Sequence, residues 1–102
     1  MPPLRAFDEA FEREQGCTDA EWLGWLPGAV RQHALVLVGP GQARVDIDGG
    51  RLHLTWATLE PRRIALIRVP RLRVCYRFEG VDAAARSRFM QYFDLYMQRG
   101  GG

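Results

Sequence analysis

A chain of 102 residues with a formal charge of +2 and 47% hydrophobic residues has the size and composition of one folded domain rather than of a charged, disordered tail. Nowhere does it approach the roughly 18 consecutive apolar residues of a membrane span, and the opening MPPLRAFDEAFERE carries acids where a signal peptide would be apolar, so the expectation is a soluble, cytoplasmic protein with no membrane contact. Two cysteines, Cys17 and Cys75, without CxxC spacing exclude a disulfide-dense scaffold and read as free thiols.

The predicted elements begin with a helix over residues 3–15. Pro2 and Pro3 open it, Leu4, Phe7, Ala10 and Phe11 follow the helical period, and Gly16 ends it. Thr18 and Glu21 then form a capping box for a second helix over 19–26, bearing Trp22, Leu23, Trp25 and Leu26 and stopped by Pro27-Gly28.

From His33 the period becomes two, with strands expected at 33–38, 42–48, 51–58 and 63–79. A hairpin turn centred on Gly49-Gly50 sets Ile47 against Leu52, Asp46 against His53 and Val45 against Leu54, leaving one face apolar. A turn centred on Pro40-Gly41 sets Val36 against Val45 on that same face and puts His33, Leu35 and Leu37 on the polar side. After a turn at Leu59-Glu60-Pro61-Arg62 the last strand runs long, and Pro70, which has no N–H to donate, marks a bulge or an edge in it. Residues 34–38 and 64–67 are apolar on both faces and call for cover from a helix, from each other or from a second subunit. A helix over 83–98, capped by Asp82, carries an apolar stripe of Ala85, Phe89, Tyr92, Phe93, Tyr96 and Met97, and a glycine tail occupies 100–102. The fold class is thus α+β in a single domain: two N-terminal helices, a four-stranded antiparallel meander, open or partly closed into a barrel, with a long bent last strand, and a C-terminal helix on one sheet face.

Charge is segregated along the chain. Residues 1–30 are net negative by four and the rest net positive by six; all fourteen basic residues are arginine, and Lys and Asn are absent, a bias matching a GC-rich bacterial genome. Arg71, Arg73 and Arg77 alternate with apolar residues and, with Arg44 and Arg51, are expected on the face opposite the core. They offer a nucleic-acid surface, although acids share that face and no exposed aromatic pair is present to stack bases. His33, Asp46, Asp48 and His53 fall on neighbouring strands of the expected register and form a weaker candidate metal set. Asp46 beside His53 lacks a nucleophile to activate, so no enzyme and no cofactor is expected.

Trp22 and Trp25, with Leu35, Leu37 and Ile67 from the doubly apolar runs, are the candidate partner-binding residues, for another protein or a second copy. The leading expectation is a non-enzymatic interaction module, with nucleic-acid binding as one alternative and a hydrophobic-ligand carrier with a helix-on-sheet pocket as another.

Overall fold

The computed structural model describes residues 6–100. It is an α+β fold with one open antiparallel sheet of five strands and two helices: β1 (Ala10–Gln15), α1 (Asp19–Val30), β2 (Leu35–Gly39), β3 (Gln42–Ile47), β4 (Gly50–Ile64), β5 (Ile67–Glu79) and α2 (Ala83–Gln98). The strand order is β1-β5-β4-β3-β2. Residues 1–5 and 101–102, which include the expected start of the first helix and the end of the glycine tail, lie outside the described residues.

The first expected helix is instead β1. Its side chains alternate between exposed and half-buried, and it pairs antiparallel with β5 from Ala10↔Arg77 to Gln15↔Leu72. Alternation suits a strand with one face on the core: Phe11 stacks on Tyr76 at 4.7 Å, and the Arg13 guanidinium lies 4.9 Å from the same ring. β5 is therefore an interior strand and not the edge.

The capping box forms as the sequence requires, with Thr18 Oγ1 accepting from the Glu21 amide and Glu21 Oε1 from the Thr18 amide. The helix continues through Pro27 to Val30, four residues beyond the expected stop. Gly28 serves packing rather than termination, because a Cβ there would overlap the Tyr96 hydroxyl of α2.

Both hairpins differ in register from expectation, with different consequences. The β3–β4 turn uses Asp48-Gly49, with φ of 48° and 85°, both positive as a type I′ turn needs. Pairing shifts by two, so Ile47 meets Gly50, Asp46 meets Arg51 and Arg44 meets His53; an even shift leaves every side chain on its expected face. In β2–β3 an irregularity between Leu37 and Gly39 inserts one residue, giving Leu35↔Val45, Val36↔Arg44 and Leu37↔Ala43. That odd shift reverses the faces: Leu35 and Leu37 lie on the helix side, and Val36 takes the open side.

The expected turn at 59–62 is a bulge between Leu59 and Arg62 inside a continuous β4–β5 ribbon, opposite Pro70. The reversal comes at Ala65-Leu66, with Ala65 at φ 54°.

Both helices cover one sheet face. Trp22, Leu26 and Val30 of α1 and Phe89, Met90, Phe93 and Met97 of α2 are buried with Val45, Leu52, Leu54, Leu72, Val74, Tyr76 and Phe78. Rings fill the helix-to-sheet space, Trp22 meeting both Trp56 and Phe93 edge-on at 5.9 Å. Among the described residues the opposite face carries no helix.

Candidate functional site: the open face, the bare edge and the arm

Alternation from the buried residues of β3, β4 and β5 puts their polar partners on the open face. The register lines these up in rows: Ala10, Arg77, His53, Arg44 and Val36 in one, and Glu12, Cys75, Thr55 and Gln42 in the next. A groove of about 570 Å³ touches residues of all five strands, among them Glu12, Gln42, His53, Thr55, Cys75 and Arg77.

The five expected arginines all fall on this face, but three are engaged by acids. Arg44 Nε lies 3.8 Å from Asp46, Arg51 Nε 3.7 Å from Glu79, and Arg71 Nη1 2.8 Å from Glu14, which also lies 3.7 Å from Arg62. Arg73 and Arg77 make no ion pair among the described residues. Such cross-strand pairs are the ordinary way an exposed sheet is solvated.

The candidate metal set is not brought together. His33 packs its ring edge-on to Phe89 at 5.4 Å, Asp48 lies 4.0 Å from Arg88, Asp46 pairs with Arg44, and His53 Nε2 bonds Glu79 Oε1 at 3.1 Å. Among the described residues no group of three or more His, Cys, Asp or Glu could hold a metal ion. The partner expected for His53, Asp46, is displaced by the two-residue register shift, and Glu79 takes its place. The His53 hydrogen bond, with the guanidinium charges of Arg51 and Arg77 nearby, holds the Glu79 carboxyl below the usual carboxylate range. The Cys75 thiol donates to Glu12 Oε2 at 3.6 Å.

The candidate docking residues divide in the same way. Trp22 is 0% exposed inside the core and cannot anchor a partner, Trp25 is half-buried against it, and Leu35 is half-buried on the helix face. Leu37, 59% exposed on β2, and Ile67, at the ribbon tip, stand bare on two different elements.

The missed features are the neighbours of these two. Val36 and Val38 flank Leu37 on β2, Ile64 directly precedes the ribbon turn, and Leu66 within the turn is 100% exposed. β2 is the sheet edge, with no strand beyond it among the described residues. The signal for both was legible as runs apolar on both faces, but such runs normally mark burial.

Comparison of the chain with protein-family models, with curated proteins and with solved structures gives no match.

Proposed function

We propose that the chain is a non-enzymatic interaction module that pairs with a second copy of itself through the β2 edge. The observation that carries this reading is the contrast between the two sheet edges. β1, with the sequence AFEREQ, bears three charges, the usual guard against unwanted pairing; β2, LVLVG, bears none and exposes Val36, Leu37 and Val38. An uncharged strand set antiparallel to its own copy brings no like charges together within the two strands, and a two-fold axis closes the assembly at a dimer. The groove adds no reason for a reaction, since its thiol faces a carboxylate. The helix-to-sheet space a hydrophobic ligand would need is taken by fully buried rings.

Sedimentation velocity or light scattering tests the pairing. The wild-type chain is expected to show twice the monomer mass at tens of micromolar. A Leu37→Lys variant, which puts a charge on the edge, is expected to run as a folded monomer. A wild-type mass equal to one chain at every concentration would sink the reading.

A further inference from the structure

The β4–β5 ribbon outgrows the sheet. β1 reaches β5 only as far as Leu72, and β3 reaches β4 only as far as Thr55, so from Leu59↔Arg71 outward the two strands have no other strand partner among the described residues. The six residues from Leu59 to Ile64 span five steps, an arm of about 17 Å at strand spacing. Every residue from 62 to 68 is exposed. An isolated two-stranded ribbon is marginal by itself, and this one places large apolar side chains in water at its end.

Its charge is one-sided. From residue 61 to 78 there are six arginines and no acid. Arg63 and Arg68 stand directly opposite one another across the ribbon, and neither has an acid within ion-pairing distance among the described residues. Like charges in directly opposed positions destabilise a ribbon unless an anion lies between or beside them. Alternation along β5 puts Arg68 on the side of Leu72, while Val69, whose partner is Arg62, lies on the side of Arg71. The arm therefore carries arginine on both of its faces, with Ile64, Leu66 and Ile67 at the apex.

We infer that this arm enters the major groove of duplex DNA. Two strands about 4.8 Å apart with their side chains fill a groove about 12 Å wide. Arginines on the two faces then reach the phosphates of the two groove walls, and the apolar apex meets the thymine methyls and base edges on the floor. An A-form RNA duplex offers no such site, because its major groove is too narrow for side chains to read. Contact through the arm needs no basic surface elsewhere, which fits an open face where acids neutralise Arg44, Arg51 and Arg71. Glu14 is a restraint at the arm's base, holding Arg62 and Arg71 in ion pairs that DNA would have to break. The inference involves a different element from the β2 pairing and does not depend on it.

The test is fluorescence anisotropy of a labelled mixed-sequence DNA duplex titrated with the full chain at several salt concentrations. Binding that weakens with salt is expected. Arg63→Gln/Arg68→Gln should lower affinity about tenfold and flatten the dependence of log K on log salt by about two, one for each phosphate contact. Leu66→Ser should weaken binding with the salt slope unchanged, and Glu14→Gln should tighten it by freeing Arg62 and Arg71. All four positions are exposed or half-exposed, and circular dichroism checks that each variant folds. No anisotropy change with wild-type chain, wild-type affinity in the Arg63/Arg68 variant, or equal affinity for an RNA duplex of the same sequence would each overturn the inference. Retention of the chain by phosphatidylserine vesicles, lost in the same variants and accompanied by no DNA binding, would assign the arm to an anionic lipid surface and overturn it as well.

Discussion

Cys17 and Cys75 show how one residue type takes two environments. Cys17 is 1% exposed, whereas Cys75 is half-exposed on the open face. Burial pushes the Cys17 thiol up to about 11, and the carboxylates of Glu21 and Asp19 add to it. Because the folded value lies above the ordinary 9.0, both states keep the proton below pH 9 and the thiol's contribution to stability is intact there. As pH rises the unfolded chain ionises first, so that contribution is lost progressively towards pH 11. In urea denaturation the wild type should lose about 1 kcal/mol more than Cys17→Ala between pH 8 and pH 10. A thiol reagent at pH 8 should modify one equivalent in the native protein, and Cys75→Ser should remove it. At this scale the sequence was informative where partners are close along the chain. Thr18 and Glu21 are three residues apart and found each other as expected; His53 and Glu79 are 26 apart, and only the β4–β5 register could join them.

β1 is held as an element by a side chain as well as by its backbone. Arg13 reaches across to α2 and donates from both terminal nitrogens to Asp94, at 2.8 and 3.2 Å. Burial works against the Arg13 charge, but the Asp94 hydrogen bond and the surrounding groups outweigh it and raise its pKa. With the Arg13 side chain 32% exposed, Arg13→Ala should cost about 1–2 kcal/mol in urea denaturation. Asp94→Ala should cost a similar amount, and the double variant less than the sum, because the two residues lose one shared interaction. That tie also explains the misread element: six residues with an alternating pattern gain more from an open strand edge beside β5 than from a short isolated helix, and no local signal announces that the edge is vacant. In the hairpins, side-chain parity decided which expectations survived. The β3–β4 shift of two left Arg44 and Arg51 on the open face, whereas one inserted residue at Val38 moved Leu35 and Leu37 to the opposite side from that expected.

The whole molecule divides into a packed body and a bare arm. Phe93, Trp22 and Tyr76 interlock the helices with the sheet, whereas residues 62–68 contribute nothing to the core. Replacing residues 60–70 with Asn-Gly keeps the Leu59↔Arg71 pair as the end of a two-residue hairpin. The shortened chain should stay within about 1 kcal/mol of the wild type in urea denaturation, keep the proposed dimer mass and lose the proposed DNA binding. Loss of cooperative unfolding would show instead that the arm belongs to the folding unit. By itself the sequence determined what short-range chemistry controls: the N-caps Thr18 and Asp82, the α+β class, the apolar stripe of α2 and the alternation that places Arg71, Arg73 and Arg77 opposite the core. The tertiary structure alone decided that residues 10–15 join β5, that a bulge turns β2 over, and that the doubly apolar runs at 36–38 and 64–67 stay bare. The physical reason is that period and turn chemistry are encoded within a few residues, whereas a strand's partner, its register past a bulge and the cover over its faces depend on backbone hydrogen bonds and contacts between segments distant in the chain.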